Sequence, residues 1–358
     1  MDEIEKLLQE LTEASGVSGY EADIRNVIRK YLEPLGTISK DRIGSLVCAQ
    51  KGGSEQPKIM LAAHMDEVGF MVKHIVKEGF IKFTPLGGWW DHVLLAQRMV
   101  VKTNKGDVIG VIGARPPHLI HGDEDRKKVV DKRDMYLDIG AVSEQEVVDA
   151  GVRIGDPIVP ISEFTVMASG KTYLAKAFDD RMGCALLIMA MQKLSDGSHP
   201  NAIFGAATVQ EEVGVRGAST SVEMVNPDVA IVLEISVAGD TPEIKPEDSP
   251  VKLGAGPTML VYDANMIPNL KLRDLVISTA KEANVPLQSA SMEGGATDGA
   301  VIHLHKTGVP TVVLGVPTRH IHSHNSILHR DDVNQTLTLV TALIRKLDAD
   351  TVAGLTAW

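Results

Sequence analysis

Two adjacent carboxylates, Glu211 and Glu212, follow an apolar run over residues 202–208, and Gly214 and Gly217 come at once after them. Such a run reads as a strand buried on both faces, and it should not end in two acids unless something there offsets their desolvation. Adjacent side chains leaving a strand point in different directions, so the pair has room for two roles, a metal ligand and a base toward a bound water. Other apolar runs end in the same way. Residues 58–63 lead into His64 and Asp66, residues 229–233 into Glu234, and residues 310–316 into His320, His322 and His324. Asp179 and Asp180 stand where a helix begins. Nitrogen and carboxylate donors without cysteine suit Zn²⁺, Co²⁺ or Mn²⁺ in a reactive site rather than a structural zinc. Taken singly, each piece has a blander reading: a surface His–Asp pair, a helix cap, a strand end, a solvated loop. Their agreement in position is what argues for a metal site.

The elements that must carry these residues can be read around them. Apolar positions 4, 7, 8 and 11 mark an amphipathic first helix, and Ser18 is placed to cap a second over residues 21–32. Strands are expected at 45–49 and 58–63. From Val68 onward the texture changes to short alternating strands with hairpin turns at Lys77-Glu78-Gly79 and Asn104-Lys105-Gly106-Asp107. The charged stretch 121–134 reads as a surface loop, and residues 143–150 as a short helix. A Gly- and Pro-bearing joint near Arg153-Ile154-Gly155-Asp156-Pro157 closes this interval. Afterwards strands and helices alternate, with helices at 184–194, 270–283 and 333–347, as in a sheet flanked by helices. The fold class is therefore α/β: a central, largely parallel sheet between helices, with an inserted small β-barrel-like domain. Residues 1–67 and 163–358 would form the catalytic domain, and residues 68–162 the insertion, a dimerisation or assembly domain.

Composition narrows the classes. A chain of 358 residues, 44% hydrophobic and 23% charged, is globular and long enough for two domains. Its formal charge of -11 disfavours nucleic acid or an anionic membrane as partner. Cys48 and Cys184 sit in apolar sequence, which suits a reducing, cytoplasmic setting. The acidic, amphipathic start lacks the pattern of a signal peptide, and no apolar run reaches membrane-spanning length.

His64-Met65-Asp66-Glu67-Val68-Gly69, Phe178-Asp179-Asp180-Arg181, Gln210-Glu211-Glu212-Val213-Gly214 and Ile321-His322-Ser323 together resemble the dinuclear-metal aminopeptidases that assemble into tetrahedral dodecamers. Glutamyl and deblocking aminopeptidases belong there, and some members carry an endoglucanase label. The resemblance spans nearly the whole chain. It implies a zinc-exopeptidase-like catalytic domain and a metalloaminopeptidase that removes N-terminal residues from peptides. It also implies two divalent ions per subunit, Zn²⁺ or Co²⁺, and a homo-dodecamer built from dimers. On this sequence it implies that Asp179 bridges the ions, that His64 and Glu234 complete one, and that Glu212 and His322 complete the other. Glu211 would be the general base toward the shared water. Asp66 would orient His64 through its other ring nitrogen, and Asp180 would follow Asp179 through a constrained peptide. Two positions depart from the pattern: Glu234 where many relatives have Asp, and His320 where relatives often have Tyr. His320 is expected to line the substrate pocket and His324 to pack behind the loop; in an extended segment all three histidines would share one face.

Two other classes are weighed. A glycoside hydrolase can work with a carboxylate pair and no metal, but 4% aromatic content leaves few sugar-stacking platforms. An inactive scaffold of the same fold would have lost the base or the bridging acid, and Glu211 and Asp179 are both present.

Overall fold

The strands that end in chemistry-bearing residues lie side by side. In the computed structural model, which describes residues 1–357, an 11-stranded sheet has Ala202–Thr208, Lys58–His64, Val229–Val237 and Thr311–Arg319 at its centre, in that order and all parallel. Thr208 pairs with His64, and Val232 pairs with Ala62, so Glu234 lies level with His64 across the next strand. The C-terminal ends of these strands therefore share one edge, where open α/β sheets present ligands.

Both faces of this block are covered, which is why its strands read as unbroken apolar runs. Ile59, Leu61 and Ala63 point into the core that holds the helix Phe178–Lys193; Met60 and Ala62 point to the other side, toward Ala218 and Val222 of the helix Arg216–Val225. The helix Phe178–Lys193 is buried almost all round, because Glu3–Glu13, Ala22–Leu32 and Arg330–Lys346 enclose it against the sheet. Each Leu or Ile sealed there contributes about 1.5–3 kcal/mol.

The outer strands are antiparallel. Leu46–Gln50 pairs with Ala202–Thr208, and Ser326–His329 folds back on Thr311–Arg319. Thr258–Asp263 pairs antiparallel with Thr311–Arg319 and parallel with Gln288–Met292; the latter, Gln-Ser-Ala-Ser-Met, has no strand signature of its own. Ser18 does not cap a helix. The second helix begins at Ala22 without a side-chain cap, and the Ser18 hydroxyl donates to Asp66 at 2.6 Å instead.

Within residues 68–162, six strands close a barrel: Gly69–Ile75, Phe80–Leu86, Tyr136–Asp138, Gly106–Gly113, Arg98–Thr103 and Pro157–Pro160. Its core stacks Phe70 on Trp89 at 5.0 Å, amid Val72, Ile81, Met99 and Leu137. The charged stretch at 121–134 is mostly exposed and holds a short α-helix, Asp123–Lys127, and a 3-10 turn, Lys132–Asp134, where a loop was expected. The barrel is fastened closely to the sheet edge. A Cβ on Gly69 would meet Val17 at 2.2 Å, and the buried His324 ring lies 5.3 Å from Trp89. Trp90, beside it, is 64% exposed.

Candidate active site

The sheet edge gathers the residues expected there. His64 ends its strand with Nε2 3.1 Å from Asp179 Oδ1 and 3.7 Å from Glu234 Oε1. On the other side of the same carboxylate, Asp179 Oδ2 lies 3.3 Å from His322 Nε2, which is 3.5 Å from Glu212 Oε1. Asp179 thus faces two imidazoles with its two oxygens, and each imidazole has a glutamate as second neighbour. Asp180 is drawn into the cluster as well by proximity to His64 and Glu234. Its oxygens are committed elsewhere: Oδ2 accepts from the His64 amide at 3.2 Å and Oδ1 from the Gly183 amide at 2.9 Å. Asp180 holds the ends of two elements together, across an Asp179–Asp180 peptide that is cis.

Glu211 stands apart from both pairs, its Oε2 4.0 Å from His64 Nε2. Gln210 takes φ +56°, a left-handed turn that swings the two glutamates over the strand end. Asp66 fixes that turn. Its carboxylate accepts from the Glu211 amide at 3.0 Å, the Glu212 amide at 3.2 Å and the Ser18 hydroxyl. The His64 ring is held mainly by the Asp66 carbonyl oxygen, 3.1 Å from Nδ1, with the Asp66 carboxylate at 3.6 Å. Asp66 therefore orients both the histidine and the glutamate pair, more than the single task expected of it.

The histidine loop differs from an extended segment. The strand stops at Arg319, and His320 and His322 take φ +59° and +53°. The three rings accordingly diverge. His322 turns to Asp179, and His324 is buried with Nε2 3.1 Å from Met99 Sδ. His320 is exposed and lines a groove with Trp90 and Gln97. It is not among the residues lining the large cavity over His64, Asp179 and Glu212, which that groove adjoins through Ile321 and His322.

Several contributors carry no local sequence signal. Asp298 is buried behind Glu211 and accepts from the Thr208 hydroxyl, with Oδ1 left unpartnered. Glu67 bonds Lys176 through both oxygens, at 2.7 and 2.5 Å, and approaches Arg181 at 3.4 Å; all three are buried. Arg181 donates onward to the Leu11 and Ala14 carbonyls, tying the first helix to the Asp179 segment. The barrel supplies Gly87 and Gly88: a Cβ on Gly88 would lie 3.0 Å from His322 Nδ1.

Charge in this site is out of balance. Burial pushes Glu212 up to about 8, and the Asp179 carboxylate adds to it. Burial likewise holds Glu211 and Glu234 well above the usual carboxylate range and raises Asp298 to about 6. His322 rises to about 9, because Asp179 and Glu212 outweigh its burial. Asp179 is held low: burial opposes its charge, but hydrogen bonds from His322 and His64 prevail. Glu212 Oε1 is buried without a hydrogen-bond donor. An unpartnered carboxylate oxygen among five acids and two imidazoles fits a divalent cation as the missing positive charge.

A stability consequence follows for protein stripped of ions with chelator. Glu212 and His322 bind protons more tightly folded than unfolded, so the stability they lend is full below the unfolded pKa and lost as pH rises through the folded one. Those windows run from 4.5 to about 8 for Glu212 and from 6.5 to about 9 for His322. The lowered groups, Asp179 and Asp66, act below 3.8 and do not offset them. Chelated protein should melt at a progressively lower temperature from pH ~6 to ~8.5, and saturating Zn²⁺ or Co²⁺ should flatten that slope by displacing the protons. Melting curves that rise with pH in chelator would contradict the charge assignment.

A family model described as M42 glutamyl aminopeptidase matches residues 44–339. The glutamyl aminopeptidase of Lactococcus lactis subsp. cremoris is 36% identical over 346 residues, covering 96% of this chain and 96% of its own. The crystal structure of a TET aminopeptidase from the marine sediment archaeon Thaumarchaeota archaeon SCGC AB-539-E09 superposes with a TM-score of 0.97 at 47% identity, over 99% of each chain. The TET1 peptidase of Pyrococcus horikoshii, described as assembling into a tetrahedron or a large octahedral shell, superposes with a TM-score of 0.87 at 33% identity, over 96% of this chain and 100% of that one.

Proposed function

Because the chain belongs to the M42 glutamyl aminopeptidase family, it is an aminopeptidase, a hydrolase of N-terminal peptide bonds, and we propose that it works with two divalent ions and Glu211 as general base. The observation that carries this reading is Asp179, whose oxygens lie 3.1 Å from His64 Nε2 and 3.3 Å from His322 Nε2. His64, Asp179 and Glu234 would hold one ion, and Asp179, Glu212 and His322 the other. Bound there, the ions would lower the pKa of a water and polarise the scissile carbonyl. Glu211, which makes no close contact with either imidazole, keeps its carboxylate free to take that water's proton and pass it to the leaving amine. Its raised pKa suits a group that must both accept and return a proton near neutral pH. Asp66 orients His64 and the Glu211–Glu212 turn, and Asp180 pins His64 to the helix that begins beside Asp179. Hydrolysis of aminoacyl amides that disappears in chelator and returns with Zn²⁺ or Co²⁺ tests the reading; chelator-resistant hydrolysis would overturn it.

The two histidines of the loop separate the roles. His322→Ala should lose most activity and weaken one ion, read as residual metal content. His320→Ala should leave kcat/KM unchanged within a few-fold, since that ring is exposed and does not line the cavity over Asp179. Metal lost from His320→Ala but kept by His322→Ala would reverse the assignment.

The barrel, residues 68–162, serves assembly on this reading, with 1–67 and 163–358 as the catalytic domain. Trp90, Ile109 and Val111 leave apolar surface exposed on it. The chain is accordingly a homo-oligomer, of twelve subunits built from dimers, and should fall to dimers when its metal is stripped; a monomer in sedimentation would refute this. Among the described residues no helix is long and apolar enough to cross a membrane. Cys48 and Cys184 are buried and unpaired, which supports a cytoplasmic setting.

A further inference from the structure

We infer that the cavity beside the ligand cluster takes an uncharged, apolar side chain from the N-terminal residue of the peptide and rejects an acidic one. This rests on the aminopeptidase reading above and adds the substrate class to it. The cavity holds about 710 Å³ between the end of the Val229–Val237 strand, the segment 248–251 and the segment 290–297. Ile235, Val251, Leu260, Met292 and Ile321 form much of its wall.

Several of the polar groups there are already used, and the remaining two, Asn265 and Ser291, are exposed and uncharged. The Ser236 hydroxyl pairs with that of Thr258 at 2.6 Å, Thr297 donates to Asp263 at 3.3 Å, and Ser249 donates to the Val237 carbonyl at 3.2 Å. Among the described residues that line the cavity there is no lysine or arginine, and its two histidines are those facing Asp179. A substrate carboxylate would therefore lose its water without gaining a cation, close to Glu211, Glu212 and Glu234. The one acid away from the cluster, Asp248, stands exposed at the rim. An exposed pair with a substrate lysine would be weak, so a basic residue gains less than an apolar one that fills the wall.

The test uses the wild-type protein loaded with Co²⁺ or Zn²⁺ and chromogenic amides of Leu, Met, Ala, Lys and Glu. Leu or Met should give the highest kcat/KM, with Glu lower by roughly 10²-fold, the order of discrimination an apolar pocket attains. Calorimetry should show free L-leucine binding more tightly than L-glutamate. Met292→Arg, which places a cation in the wall away from the metal ligands, should raise the Glu:Leu ratio of kcat/KM by about tenfold or more. Glu or Lys preferred by the wild type would overturn this inference and leave the aminopeptidase reading standing. Cleavage of none of the amides by fully metallated protein would overturn that reading and this inference with it. The wild-type panel decides by itself if the variant does not fold.

Discussion

Glu211→Gln should lower kcat by about 10²–10⁴-fold, the usual worth of a general base, while leaving the protein folded and its metal content unchanged. The substitution keeps shape and hydrogen-bonding reach and removes only the ability to take a proton. Glu211 is positioned by its backbone: the Asp66 carboxylate holds its amide, and its side chain stands 4.0 Å from His64 Nε2. The amide side chain therefore should not disturb either proposed ligand set. KM should change little, because the loss falls on the chemical step. The variant should also melt at a temperature no lower than the wild type, since a neutral amide no longer carries the desolvation cost of Glu211. Near-normal turnover would remove Glu211 from the role of base. Loss of metal would make it a ligand instead.

Asp179→Asn should fail in the opposite way. Among the described residues Asp179 is the one carboxylate within 3.5 Å of both His64 and His322, so an amide there would remove a charge and a donor that both proposed ions need. Metal content should fall from two ions per subunit toward one or none, and activity with it. Stability should follow: an ion that binds only the folded state adds about 2.7 kcal/mol at 100 times its Kd. The comparison that isolates the cause is the Tm difference between metal and chelator, large in the wild type and nearly absent in Asp179→Asn. Two equivalents retained on elemental analysis would contradict the bridging role.

Much of the candidate site was legible because charge at the end of an apolar run is costly without a purpose. His64, Glu211, Glu212 and Glu234 all announce themselves that way, and the parallel strands that put them level follow from the same apolar runs. What stayed hidden depends on tertiary placement. Lys176 and Arg181 are long cations, a type usually exposed, and only the folded chain buries them around Glu67. Asp298 lies in a glycine-rich stretch with no periodicity, and nothing local shows that it ends beneath Glu211. The Gly87-Gly88 pair was visible, but only the folded chain shows His322 beside it. The shared face expected of an extended segment at 320–324 fails because a positive φ at a residue other than glycine leaves no mark in sequence. One such turn at 320 and another at 322 replaced the shared face of an extended strand with three divergent rings. Ser18 reads locally as a helix cap, but its hydroxyl donates to Asp66, far away in sequence.

The most direct measurement is a calorimetric titration of chelator-treated wild-type protein with Zn²⁺ or Co²⁺, checked by elemental analysis of the saturated sample. Two ions per subunit are expected, with the second lost selectively in His322→Ala. Saturation at a single ion, or at none with aminopeptidase activity intact, would contradict the account of Asp179 as a carboxylate shared between two metal sites.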